Sequence, residues 1–199
     1  MEYEGQRIIN KAVSSLFEPG STIKPFIGYA ALDNGAIESD EIIDTSNGLK
    51  LSTKQNLLRD YRNLGPLTLQ GVIEKSSNVG AAMIAKKTKK KQIYDTLSKL
   101  NFGNDLYIDF PGKRNGKIKD YNYWDEALHG TMGYGYGLST SLLHLANAYN
   151  IIANNGSRVQ LTYEKQEYKA EAIDVLNANT SREILLMMIS LNFGIGLTK

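Results

Sequence analysis

The sequence has no cysteine, only two histidines, and no run of about 18 apolar residues. Without cysteine there is no disulfide, no thiolate nucleophile and no cysteine-ligated zinc, while the redox compartment stays open. His129 and His144 stand apart, with no carboxylate cluster beside them, so neither a metal site nor a cofactor site is expected. The missing apolar run means that nothing in the chain is expected to span a membrane. Met1-Glu2-Tyr3-Glu4 is acidic where an export signal would be positive, so any export address is expected outside this chain. A net charge of +2 is too small to argue for nucleic acid. Lys86-Lys87-Thr88-Lys89-Lys90-Lys91 reads as a solvated connector rather than an anion-binding patch. Asp105, Asp109 and Asp120 lack the spacing of a calcium loop and read as surface turn residues.

What is present is the composition of a globular chain, 42% hydrophobic and 22% charged over 199 residues, enough for one domain or a large part of one. After a polar approach segment, Pro19-Gly20 marks a turn. A pattern of helical period follows (Ile23, Phe26, Ile27, Ala30, Ala31) and stops at Asn34-Gly35, which predicts a helix starting at Ser21. Residues 35–65 read as a long loop with short strands near Ile42 and Leu49–Leu51, and loops of that length are usually functional. Pro66-Leu67-Thr68 opens a helix carrying Leu69, Val72 and Ile73. A break at Ser76 to Asn78 and a second helix of small apolar residues follow. Ile93, Leu97 and Leu100 mark an amphipathic helix, and residues 104–123 read as loop. Gly133-Tyr134-Gly135-Tyr136-Gly137 is read as close backbone packing rather than a phosphate cradle. It leads into a helix whose apolar face is Leu142, Leu145, Ala146, Tyr149 and Ile152-Ala153. His144 is read as a packed residue rather than a base. Thr180-Ser181-Arg182-Glu183 has the form of a capping box, before a helix with Ile184, Leu185, Met188 and Leu191, whose methionines fill core space.

On that first helix, Ser21 and Lys24 share a face within one turn, at an end where N–H groups favour negative charge. A hydroxyl beside an amine is what a serine nucleophile activated by lysine requires. The spacing alone is weak: 14 serines and 17 lysines give about one Ser-x-x-Lys by accident, and there is one. The alternative is a capping serine followed by a solvated lysine.

A second motif adds weight. Phe17-Glu18-Pro19-Gly20 leads into Ser21, Lys24-Pro25 follows, and Ser76-Ser77-Asn78-Val79-Gly80 starts 55 residues after Ser21. In this order, each at a helix edge, the two motifs resemble the first two active-site motifs of the penicillin-binding transpeptidases. Ala31-Leu32-Asp33-Asn34-Gly35, residues 67–75, Gly133 to Leu138 and the Leu145 to Tyr149 helix are also similar to that family. The resemblance runs from about residue 7 to Lys199 and is nearest to the division-type (class B) proteins that cross-link septal peptidoglycan. It implies Ser21 as nucleophile, Lys24 as base, Ser76 as proton relay and Asn78 as orienting and substrate-binding residue. It also implies partners: peptidoglycan stem peptides, β-lactam antibiotics and cell-division membrane proteins. An extracytoplasmic, inner-membrane location follows from the same resemblance.

The family's third motif, Lys-Thr/Ser-Gly, does not occur in this sequence. The implied fold is therefore mainly α, the helical portion of the α/β transpeptidase (serine β-lactamase-like) fold with most of its central sheet missing. Residues 1–199 would be a partial transpeptidase domain, weak or inactive alone. Alternative readings are a serine β-lactamase or β-lactam sensor, or a non-catalytic fragment of a transpeptidase. No candidate deacylating glutamate at a recognisable motif supports the lactamase.

Overall fold

The residues between Lys24 and Ala31 are consecutively buried, so the helix they form has no solvent face and sits at the centre of the molecule. A computed structural model describes residues 2–3, 6–7, 9–54, 56–165, 167 and 170–190, the first two pairs by backbone alone. The helices are α1 (Lys11–Ser14), α2 (Lys24–Asp33), α3 (Leu69–Glu74), α4 (Asn78–Lys87), α5 (Lys90–Lys99), α6 (Glu126–Met132), α7 (Leu142–Ala153) and α8 (Ala178–Ile189). Helix α2 packs against α4, α5 and α8, while α6 covers α4 and α7 lies along α8. Phe26 is the pivot of this core, its ring tilted 5.6 Å from Phe102 and 4.8 Å from Tyr149.

Strands are short and paired in twos. β1 (Glu2–Tyr3) pairs with β2 (Gln6–Arg7), β3 (Ile43–Asp44) with β6 (Pro66–Leu67), and β4 (Leu49–Lys50) with β5 (Leu57–Leu58). β7 (Lys117–Ile118) pairs with β8 (Leu138–Ser139), and β9 (Ser157–Val159) with β10 (Ala172–Asp174). All five pairs are antiparallel, and among the described residues no sheet exceeds two strands. The β3–β6 pair pins the two ends of the 43–67 excursion together, with Ile43 opposite Leu67. That excursion lies beside the helix break at residues 75–77.

Several local expectations need correction. Ser21 belongs to a 3-10 turn, Gly20–Ile23, and the α-helix starts only at Lys24. The Lys24 N–H closes the tight turn on Ser21 O, and Pro25 follows it in the first α-helical turn. The lysine run is a connector only at Thr88-Lys89: Lys86 and Lys87 close α4, and Lys90 and Lys91 open α5. Lys86 and Lys90 pair with Glu126, Lys87 with Glu41 and Lys91 with Asp95, while Thr88 between them is buried and donates to Ile84 O at 2.9 Å. On α7, Leu142 is 54% exposed and Ala146 is also exposed, whereas His144 and Asn147 are buried. His144 can turn inward because Ser141 Oγ (2.8 Å) and Asn104 O (2.9 Å) meet its two ring nitrogens. The capping box at Thr180 does not form. Asn177 caps α8 one turn earlier, accepting from the N–H groups of Asn179 and Thr180, and the Thr180 hydroxyl donates to Asp33 instead. Leu191 and the Gly194–Lys199 segment lie outside the described residues.

Candidate active site

Three connections hold the Ser21 turn in place. Phe17 and Thr140 exchange backbone hydrogen bonds at 3.0 and 2.9 Å, the Gly20 N–H donates to Gly135 O at 3.2 Å, and the Gly137 N–H donates to Glu18 Oε1 at 2.9 Å. The glycine-rich run is thus close packing, as its sequence implies. Gly135 has φ +86°, and a Cβ there would lie 2.1 Å from Gly20 O, so no other residue fits. Within the turn, the Thr22 hydroxyl donates to Pro19 O at 2.7 Å and the Tyr149 hydroxyl to Thr22 O at 2.8 Å. The outcome is an exposed Ser21 one turn ahead of a buried Lys24.

The second segment is the break between α3 and α4. Helix α3 ends at Glu74 and is capped by Lys75, and Ser76 then adopts φ +53°, a left-handed conformation that costs a non-glycine residue about 1 kcal/mol. Ser77, fully buried, caps α4 by accepting from the Gly80 N–H at 2.8 Å. The reversal at Ser76 turns its side chain and its carbonyl toward α2.

The two segments meet at one nitrogen. Lys24 Nζ lies 2.9 Å from Ser21 Oγ, 2.9 Å from Ser76 Oγ, 2.6 Å from Ser76 O and 2.9 Å from Asn78 Oδ1. All four residues singled out in the sequence are therefore brought together. An ammonium has three N–H bonds and cannot serve four oxygens at once. A neutral amine has two and a lone pair, which can accept a proton from one of the serine hydroxyls. Lys24 is only 3% exposed, and this burial pulls its pKa from 10.5 down to about 8, against the opposing pull of Asp60. The neutral amine that can take a proton is thus reached about pH 8 rather than above pH 10.

Asp60 was not legible in the sequence. It lies between β5 and β6, in the unpatterned loop, yet its carboxylate accepts from Ser77 Oγ at 2.6 Å, Asn78 N at 2.6 Å and Val79 N at 3.2 Å. The one available signal was an acidic residue in an otherwise long loop, which is no signal without a partner. The two histidines take no part: His129 is buried against Thr88 O (2.9 Å) and, like His144, is kept neutral to lower pH by burial. Among the described residues no group of three or more histidines and carboxylates is placed to hold a metal ion. None of the helices there is long and apolar enough to cross a membrane.

Residues 2–191 match the penicillin-binding protein transpeptidase domain, so the chain belongs to that family. It is 33% identical over 181 residues to a probable peptidoglycan D,D-transpeptidase PenA of Neisseria flavescens, covering 91% of this chain and 44% of that protein. It is 29% identical to the peptidoglycan D,D-transpeptidase FtsI of Escherichia coli, covering 91% of this chain and 30% of that one. Among solved structures, the transpeptidase domain of penicillin-binding protein 3 from Burkholderia pseudomallei superposes with a TM-score of 0.82 at 33% identity, over 89% of this chain and 54% of the other. The chain thus spans less than half the length of these curated relatives. Its mainly α architecture is the helical portion of the transpeptidase fold.

Proposed function

We propose that residues 1–199 form part of a peptidoglycan D,D-transpeptidase domain and carry its acylation centre, with Ser21 as nucleophile. The observation that carries this reading is the buried Lys24 amine within 2.9 Å of two serine hydroxyls and the Asn78 amide oxygen. Neutral Lys24 takes the proton as Ser21 Oγ bonds to the carbonyl of the penultimate D-alanine in a stem peptide. The peptide C–N bond then breaks, and the terminal D-alanine leaves with a proton relayed through Ser76. The product is an acyl ester on Ser21. An amine from a neighbouring stem attacks it, the proton returns to Ser21 by the same route, and a cross-link results. A β-lactam offers an equivalent carbonyl in a strained ring and stops at the ester. Asn78 fixes Lys24 through its oxygen, leaving its NH2 for the substrate. Stem peptides lie outside the cytoplasmic membrane. Similarity to FtsI favours a place in septal synthesis, with cell-division membrane proteins as partners.

Neither carboxylate bordering the site is bonded to Ser21. Glu18 accepts from Gly137 N, and Asp60 from Ser77, Asn78 and Val79. This favours a transpeptidase, whose ester waits for an amine, over a lactamase that needs a carboxylate to activate water. The absence of Lys-Thr/Ser-Gly from the sequence removes one oxyanion N–H and the cationic wall for the substrate carboxylate, so acylation by this chain alone is slow.

The test is labelling by a fluorescent penicillin, followed by time and by pH. Slow labelling that vanishes in Ser21→Ala and rises with pH about a midpoint near 8 is expected, since Lys24 acts only when neutral. Labelling that persists in Ser21→Ala would sink the reading, and rapid turnover of a chromogenic cephalosporin would turn it toward a lactamase.

A further inference from the structure

We propose that Asp60 is the positioning residue of this site, holding the Ser76–Asn78 break in the geometry that lays Ser76 and Asn78 on Lys24. The inference rests on the acylation reading above and extends it to a residue that touches neither nucleophile nor base. Its geometry is specific. One carboxylate oxygen takes the N–H groups of Asn78 and Val79, two of the orphan donors at the start of α4, and the other takes the Ser77 hydroxyl. Ser77 is thereby shared, donating to Asp60 while accepting from Gly80 N. The clamp grips the three residues directly after Ser76, the one residue of the break whose backbone is left-handed, and strain of that kind persists only where the surroundings over-determine it. Thr45 anchors the base of the loop, donating from its N–H and its hydroxyl to Gly65 O at 3.1 and 2.8 Å. Residues 45–65 are thus a closed excursion whose far part delivers one carboxylate to a helix start.

Asp60 also matters as a charge. Ser21 on the lysine's own turn, and Ser76 and Asn78 on the break, are uncharged, and Asp60 is the charged group whose field reaches Lys24 and favours its protonated form. Arg59 and Arg62 line the same cavity of about 270 Å³ that Asp60 faces, together with Ser46 and Asn63. They are the cations nearest to Asp60 in sequence. The clamp therefore has two separable effects. It raises the ceiling of the acylation rate by fixing the break, and it shifts the pH at which the lysine becomes neutral toward the alkaline side.

Asp60→Asn keeps the shape and removes the charge, and Ser77→Ala removes one strut and keeps the charge. The rate of fluorescent-penicillin labelling is measured from pH 6 to 10 for each and for the unsubstituted chain. Folding is checked by thermal unfolding. In parallel, the Lys24 side chain is titrated by carbon-13 NMR of lysine-labelled protein, assigned with Lys24→Arg. Asp60→Asn is expected to lower the high-pH plateau about tenfold and to move both the rate midpoint and the Lys24 titration down by about 0.5–1 pH unit. Ser77→Ala is expected to lower the plateau with the midpoint unmoved. An Asp60→Asn protein that is folded, with midpoint and titration unchanged, overturns the proposal, and so does an unchanged plateau. Loss of Ser21-dependent labelling in the unsubstituted chain fails the acylation reading instead, and the Lys24 titration then still decides the charge effect of Asp60.

Discussion

Ser21 and Lys24 stand at the head of a helix whose residues are buried through Ala31, whereas Ser76 lies inside, and Asn78 just past, a gap between a six-residue and a ten-residue helix. The first pair is placed by packing: α2 cannot shift without moving Phe26, Phe102 and Tyr149 together. The second is placed by polar bonds to a loop, and Ser76 holds a backbone conformation it would not choose alone. A catalytic geometry can thus be shared between a rigid half with no alternatives and an adjustable half held by a few hydrogen bonds. The chemistry needs both, but they fail differently.

The largest effect that separates them is expected at Phe26. Phe26→Ala empties the centre of the packed half and should cost about 3–5 kcal/mol, seen as a lowered midpoint in urea. A loss below about 1 kcal/mol would show that packing does not fix this half.

The next test uses the lysine inside that half. Unfolded, Lys24 keeps its proton up to about pH 10.5, while folded it releases it near 8, so between those values the folded state binds fewer protons. Stability therefore rises with pH across that window, by about 3 kcal/mol in total relative to Lys24→Met. Below pH 8 the full cost of burying the ammonium is present. Parallel stability–pH curves for the two proteins from pH 7.5 to 10.5 would contradict it.

The smallest effect is expected in the adjustable half, at Ser76. Glycine relieves the left-handed strain, so Ser76→Gly should be neutral or stabilising by up to about 1 kcal/mol, while labelling by penicillin falls because the relay hydroxyl is gone. Stability and function would then part at one residue. Marked destabilisation would instead make the Ser76 hydroxyl a structural bond.

The packed half was the more legible in sequence. Ile23, Phe26, Ile27, Ala30 and Ala31 announce α2 by period, and Asn34-Gly35 ends it: the Asn34 N–H closes on Leu32 O and Gly35 has φ +62°. The α3–break–α4 arrangement was legible too, from two apolar patterns interrupted by Ser-Ser-Asn. Asp60 was hidden because its bonds join residues 17 to 19 apart through a stretch with no period. Helix α6 was hidden because seven residues give too few turns for a pattern, although Asp125, which accepts from Leu128 N, is a fair cap. Leu142 and Ala146 misled because hydrophobicity was allowed to choose the buried face of α7. There, His144 could be buried at little cost by finding partners for both ring nitrogens.

The lead-in to Ser21 has a consequence for motion. Phe17 and Thr140 hold each other by two backbone bonds, and Gly20 is held by Gly135. These tethers join an exposed segment to the start of α7, whose Ile151 and Ile152 lie wholly inside. The amide hydrogens of Phe17 and Gly20 should then exchange with deuterated water on the slow schedule of the interior to which Thr140 belongs, although Phe17 itself is exposed. A nucleophile mounted this way does not wait for its loop to settle before it reacts.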